Sequence, residues 1–327
     1  MIFLLLFVLG TLVGSFLNVC IWRMPRGESV VAPPSHCPTC NTRLTLLDLF
    51  PLVSQLWLRG RCRYCGARFS WRYAGIELLT GILFVLVAVQ PGNLSDLTFF
   101  ASWTGDTAKL LRDLIFMSTL TVVFWVDYDT RLIQLESVLL MGLAGLGYEI
   151  YRAFASSDAG VILTDGKIIA GLLPAPVPEA ILAAVITASG LWLLREGFSR
   201  LYGREAMGLG DVLLVAAIAP YLGWSALIIT FLFLASVLGA LIGTAFQIPR
   251  AARSYRWAKE RRKRYGGPDW SKPLLRRSLR AAMPFGPMLA MGAVAALLFG
   301  QQINDAYLNW MMPDANLPLA LWHQFGN

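Results

Sequence analysis

Eight apolar stretches dominate this chain, at approximately 2–22, 74–90, 110–126, 136–155, 179–197, 211–224, 225–247 and 284–300. Crossing about 30 Å of hydrocarbon takes roughly 20 apolar residues in a helix. In lipid every backbone N–H and C=O must be satisfied internally, so only helices or closed barrels can span. Continuous apolar runs, instead of strict alternation, select helices. Hydrophobic residues make up 56% and charged residues only 15% of the chain, against about 25% charged in an average soluble protein. The prediction is an all-α polytopic membrane protein with about eight transmembrane helices. The sixth stretch is short, contains Pro220 and abuts the seventh through YLGW, so seven is the alternative count.

The basic residues orient these segments. Met1 opens directly on an apolar run, and Arg23 and Arg26 follow it. A cleaved signal peptide has the opposite charge order, so a retained first helix is predicted. With the N-terminus extracytoplasmic, loops 23–73, 127–135, 195–211 and 248–283 are cytoplasmic. All of the 28 Lys and Arg residues then lie inside except Lys109, Arg112, Arg152 and Lys167, as the positive-inside rule demands. The net charge of +8 therefore reads as topology and not as nucleic-acid binding. The basic block at 250–280 reads as a loop on anionic membrane lipid, helical at its start and broken at Gly266, Gly267 and Pro268. MPFGP at 283–287 interrupts the backbone where the last helix enters, which suits a segment lining a cavity.

The first cytoplasmic loop carries Cys37 and Cys40 in CPTC, and Cys62 and Cys65 in CRYC. Paired CxxC knuckles at this separation match a four-thiolate zinc site. A reducing compartment disfavours disulfides, and Gly66 suits a tight turn after the second knuckle. Redox thiols or an unmetallated remnant are the other readings. Four cysteines would leave zinc no open position for water, so such a metal would stabilise the loop and not catalyse. His36 reads as an ordinary exposed histidine, and Cys20 as a small apolar residue of the first helix.

Two acids stand where apolar runs meet the predicted cytoplasmic face: Asp127 in FWVDYDT and Asp211 in AMGLGDVLL. Ionisable residues at membrane depth are functional candidates by default. Gly208 and Gly210 would allow close backbone approach or unusual dihedrals beside Asp211. Two carboxyls in one wet pocket can share a proton, one acting as base toward water and the other as acid toward a leaving amide. Asp129, two residues on, would point about 200° away on a continuing helix and so reads as supporting. Glu77 opens the second helix, where it could offset the helix dipole or pair with Arg72. The only histidines, His36 and His323, form no Ser/His/Asp set, and no phosphate loop appears.

Taken in order, GSFLNVCIWRMPRGESVVAPPSHCPTC at 14–40, LRGRCRYCGARFSWRYAGIELLTG at 58–81, REAMGLGD at 204–211 and MPFGP at 283–287 make the chain resemble the type IV prepilin peptidases. These are intramembrane aspartyl proteases of the GxGD type. The resemblance runs almost end to end and implies that Asp127 and Asp211 are the catalytic pair. It implies an enzyme of the bacterial inner membrane whose active site faces the cytoplasm and cleaves the leaders of prepilin or pseudopilin precursors. It also implies N-methylation of the new amine by S-adenosylmethionine. The residues alone reveal no binding site for that cofactor; within the family-like stretches Glu28 and Glu77 are the candidates, and Arg23 and Asn18 could support the same site. The expected organisation is a first helix (1–22), a zinc-binding loop (23–73), a protease core (74–300) that includes the basic loop 248–283, and an extracytoplasmic tail (301–327).

The chain departs from the family pattern in three places. LIQLES puts Gln134 and Leu135 where relatives carry a proline and a third acid, with Glu136 one place later. Leu213 replaces a lysine usual after GxGD. A polytopic transporter or assembly scaffold, using the same embedded acids for protons or packing without peptidase activity, is the alternative class; a metal or redox sensor reading the cysteine loop is another.

Overall fold

The computed structural model describes residues 1–90, 105–158, 176–203, 207–223, 226–265, 273 and 285–311. Its elements are α1 (Ile2–Arg23), a 3-10 turn (Met24–Arg26), α2 (Val53–Trp57), α3 (Arg72–Ala88), α4 (Gly105–Thr130), α5 (Leu135–Asp158), α6 (Pro176–Tyr202), α7 (Leu209–Leu222), α8 (Ala226–Tyr265) and α9 (Gly286–Met311). Among the described residues there is no strand, only the isolated bridges His36–Arg43 and Arg61–Arg68 in the cysteine loop. A helix occupies each of the eight apolar stretches. Four of them, α1, α6, α8 and α9, are long and apolar enough by length and composition to cross a membrane.

Three boundaries differ from the sequence reading. α4 continues one turn beyond Asp127 to Thr130. α8 runs unbroken through Pro249 and into the basic block as far as Tyr265, because AARSYRWAKERRKR is rich in strong helix formers and one proline removes only one backbone donor. α9 extends to Met311, so the stretch expected as a tail from residue 301 begins as helix; no proline follows Gly300 until Pro313. The rest of that tail, and the basic loop from Gly266 to Pro284 apart from Pro273, lie outside the described residues.

The packing is that of a bundle in lipid. Phe116, Met117 and Val123 of α4, Leu214 and Ile218 of α7, Phe231 of α8 and Leu289 of α9 are buried in one core. Large apolar side chains, including Phe16 of α1, Leu143 of α5, Leu193 of α6 and Phe233 of α8, face outward. Such a surface would be an aggregation hazard in water and is unpenalised against acyl chains. Lipid-immersed helices associate through close backbone approach, and α1 meets α3 in this way. A Cβ on Gly10 would lie 2.7 Å from Gly81 Cα, and one on Gly14 would lie 2.8 Å from Glu77 Cα.

A second, smaller core joins Leu17 and Ile21 of α1, Ile76 of α3, and Val122 and Val126 of α4. It fixes the end of α4 next to the start of α3.

At the other end of α4, buried charges form a cluster that the sequence reading did not single out. Arg112 Nη2 lies 2.7 Å from Asp113 Oδ1, and Arg112 Nη1 lies 3.7 Å from Glu149 Oε1. Arg152 Nη2 lies 3.0 Å from Glu149 Oε2. The Arg112 guanidinium also sits 4.5 Å from the centre of the Tyr148 ring. Buried charges are tolerated only when paired in this manner, so the cluster ties α4 to α5. Its signal was present as Arg112–Asp113 and Glu149–Arg152 inside apolar runs.

Candidate active site

Asp127 and Asp211 reach one another from chain-distant helix ends. Asp127 sits in the last turn of α4 and Asp211 in the first turn of α7, and both are buried, at 5% and 8% exposure. The two carboxyls lie within electrostatic range of one another. Asp211 follows the N-cap Gly208 by three residues and reaches back to the Gly208 backbone, the acid half of a capping box. It thus neutralises the positive end of α7 and is held in one orientation.

Asp127 is positioned by α9. A Cβ on Gly286 would stand 2.7 Å from Asp127 Oδ2, so only glycine lets the start of α9 come this close. The Gly286 amide faces the carboxyl, yet Oδ2 is fully buried and has no well-formed hydrogen bond among the described residues. The positive end of the α9 dipole favours negative charge there. Of MPFGP, Gly286 meets the Asp127 carboxyl; Met283 and Pro284 lie outside the described residues.

The glycines of GLGD act by size. Gly208 is extended, with φ −67 and ψ 147, a conformation open to any residue, so the unusual-dihedral part of the expectation is not met. Gly210 packs against Ile133, where a Cβ would lie 3.1 Å from Ile133 Cβ. The divergent LIQLES stretch therefore touches the site through Ile133. Glu136 is exposed in the first turn of α5 and acts on the helix dipole. Leu213 faces outward.

Asp129 points away from Asp127, as helical geometry requires. Its carboxylate accepts two hydrogen bonds from Arg72, at 3.0 and 2.6 Å. The suggested Arg72–Glu77 pair is therefore not formed. Glu77 is instead buried at 5% exposure, where Oε2 accepts the Leu52 N–H at 2.9 Å and ties α3 to the loop.

Glu77 also lines a cavity of about 570 Å³ between α1, α3 and the cysteine loop, together with Asn18, Arg23, Glu28, His36 and Tyr73. The volume falls in the range of small-molecule sites, about 300–1,000 Å³. Asn18 Nδ2 donates to the Tyr73 carbonyl at 3.2 Å. Buried Arg23 donates to the carbonyls of Ser29 and Pro33, at 2.9 and 2.7 Å, and so folds the following segment over one side of the cavity. The four family-like residues Asn18, Arg23, Glu28 and Glu77 thus share one chamber.

The cysteines converge beside it. The Sγ atoms of Cys37, Cys40, Cys62 and Cys65 all lie within 4.8 Å of one another, and those of Cys37 and Cys65 are 3.8 Å apart. Sulfurs at about 2.3 Å from a tetrahedral ion would be separated by about 3.8 Å, so the set fits a metal. Each knuckle turns in the same way: Asn41 N–H donates to Cys37 O at 2.8 Å and Gly66 N–H to Cys62 O at 3.0 Å. Asn41 and Gly66 both have positive φ, 54 and 71. The Asn41 turn was missed in the sequence, although asparagine is among the few residues that tolerate this conformation. The Thr42 hydroxyl and amide push the Cys40 thiol down to about 6. Despite the Ala67 amide, burial and the neighbouring thiols push Cys65 up to about 12. Thiols so close cannot all ionise without a cation among them.

Comparison with known proteins gives two family matches: the Bacterial Peptidase A24 N-terminal domain over residues 8–91 and the Type IV leader peptidase family over residues 114–244. Among curated relatives, the Prepilin leader peptidase/N-methyltransferase of Aeromonas salmonicida (strain A449) is 30% identical, covering 95% of each chain. The protein of the same name from Aeromonas hydrophila is 32% identical over 94% of this chain and 93% of its own. That from Neisseria gonorrhoeae is 33% identical over 74% and 82%. No solved structure matches.

Proposed function

Because this chain belongs to the type IV leader peptidase family, we propose that it cleaves the leader from prepilin or pseudopilin precursors and methylates the amine so released. The observation that carries the proteolytic half is the approach of Asp127 and Asp211, two buried carboxyls from remote segments, at the start of α9.

A prepilin carries a short basic leader before an apolar helix. With that helix in lipid and the leader in the cytoplasm, the scissile bond lies at the membrane surface, level with the end of α4 and the start of α7. One carboxylate removes a proton from water as its oxygen attacks the scissile carbonyl carbon. The protonated partner then delivers its proton to the amide nitrogen as the C–N bond breaks. The products are a leader ending in a carboxylate and a mature chain with a free amine. Gly286 lets the start of α9 pack against Asp127, and Gly210 lets Ile133 pack beside Asp211.

The 570 Å³ cavity is the proposed seat of S-adenosylmethionine, which when bound supplies an electrophilic methyl group. Glu28 and Glu77 present carboxylates suited to a sulfonium cation, and Asn18 and Tyr73 shape the wall between them. Cys37, Cys40, Cys62 and Cys65 would hold zinc as a closed structural site that secures the loop over this cavity. The helices of the eight apolar stretches, α1 and α3 to α9, are read as eight crossings of the bacterial inner membrane, with the N-terminus extracytoplasmic and both sites toward the cytoplasm. The unit 74–300, basic loop included, forms the protease core, and 23–73 the metal-binding loop.

Purified enzyme incubated with a full-length prepilin, with and without S-adenosylmethionine and read by intact mass, tests both halves. Loss of the leader mass in each arm and a methyl increment only with the donor are expected. An unchanged precursor in both arms overturns the reading.

A further inference from the structure

Arg72 and Asp129 form a contact that neither proposed chemistry uses. The guanidinium and carboxylate meet through two parallel hydrogen bonds of 3.0 and 2.6 Å, the fork geometry that fixes relative orientation most tightly. The same guanidinium lies over the Trp125 ring, 4.3 Å from its centre, and so grips α4 on two successive turns. Both side chains are about one-third exposed, at 32% and 37%, and ion pairs this open contribute little to folding stability.

Local electrostatics gives neither residue a reason to be where it is. Arg72 opens α3, where a cation opposes the helix dipole, and Asp129 lies in the last turn of α4, where an anion opposes it. Asp127 adds a second acid to that same negative end. The turn is closed by the Arg131 N–H donating to Asp127 O at 2.9 Å, with Arg131 already left-handed at φ 58. A terminal turn carrying two acids is prone to fray, and this one carries the carboxyl that must stay within reach of Asp211. Gly286 meets it from inside the bundle, and Arg72 holds it from the loop side. Arg72 is also the neighbour of Tyr73, whose carbonyl is tied to Asn18 beside the cavity.

We infer that Arg72 and Asp129 are positioning residues for the peptidase reaction: the clamp between the start of α3 and the last turn of α4 sets the Asp127 carboxyl against Asp211. The inference rests on the reading of Asp127 as a catalytic acid.

Kinetics of prepilin cleavage by purified Arg72→Gln, Asp129→Asn, the double variant and the charge swap Arg72→Asp/Asp129→Arg test it. Misplacement of a reacting group by about 1 Å can lower a rate by about 10²-fold. Each single variant is expected to lose kcat by roughly 10–10²-fold, with KM and melting temperature near those of the parent. The double variant should be no slower than either single one, and the swap should recover a substantial part of kcat. Arg72→Lys, which keeps the charge and loses the fork, should fall between Arg72→Gln and the parent. The inference is overturned by single variants within twofold of parental kcat, by losses that multiply in the double variant, or by losses that follow a lowered melting temperature. Asp127→Asn run alongside separates the two readings. If it cleaves normally, the assignment of Asp127 fails; if it is inactive while Arg72→Gln is fully active, only the clamp fails.

Discussion

The cysteine loop and the helical bundle are stabilised in opposite ways. In the bundle, Phe116, Met117 and Leu214 are wholly buried, and helices meet where Gly10, Gly14 and Gly81 admit a neighbouring backbone. In the loop, order comes from polar contacts. Asp48 Oδ2 accepts hydrogen bonds from the Thr45 amide and hydroxyl and from Tyr64 Oη, and Asp48 Oδ1 lies 3.0 Å from Arg63 Nε. Leu46, Leu47, Val53, Leu56 and Trp57 are exposed there, so the loop has little apolar core of its own. A loop with so little core would gain most of its folding free energy from an ion held by its four cysteines, as proposed above, whereas a bundle in lipid needs none. The two proposed chemistries divide along the same line, with proteolysis on bundle helices and methyl transfer at the seam between helices and loop.

Metal removal is the harshest way to break this contrast. Cys37→Ser or Cys62→Ser, or chelation of the parent, should unfold most of the loop, because structural zinc can supply most of the folding free energy of a small site. Protease digestion should then cut first among Arg59, Arg61 and Arg63, while α4 to α9 stay intact. Methylation of a pre-cleaved pilin peptide should be abolished and prepilin cleavage only reduced. Equal loss of both activities would show that the bundle also depends on the metal.

Gly286→Ala probes the bundle side at smaller scale. The added methyl would lie 2.7 Å from Asp127 Oδ2, and overpacking of this kind costs about 1–3 kcal/mol. Prepilin cleavage should fall by roughly 10–10²-fold, with methylation of the pre-cleaved peptide unchanged. The smallest effect is expected from Glu136→Gln. This exposed acid acts on the α5 dipole alone, worth about 0.3–1 kcal/mol, so a thermal melt should move slightly and both activities should stay within twofold. A large loss of cleavage would make Glu136 the displaced third acid of the family pattern.

Much of the architecture was legible because a bilayer leaves few options: a helix occupies each of the eight apolar stretches, and four of these helices are long and apolar enough to cross it. The cysteine cluster was equally legible, since CxxC spacing already constrains the sulfurs. What could not be read were contacts between segments far apart in the chain. Arg72 stands close to Glu77 in sequence, yet it turns to Asp129, while Glu77 caps the Leu52 amide. The approach of Gly286 to Asp127 had no local signature beyond a proline-flanked glycine. The Arg112–Glu149 pair was hidden because Arg112 had been weighed only as topology and Glu149 had not been singled out. Asp127 and Asp211 were singled out by their membrane depth and read as able to share one wet pocket; the family resemblance then implied that they are the catalytic pair.

The central claim is that Asp127 and Asp211 work as one unit. Its most direct test is prepilin cleavage, followed by intact mass, for Asp127→Asn, Asp211→Asn and the double variant, each purified as a folded protein. Loss of general acid–base catalysis lowers rates by about 10²–10⁴-fold, and groups acting as a unit are strongly non-additive. Each single variant should therefore be nearly inactive and the double variant no worse. Cleavage at the parental rate by either single variant would contradict the account.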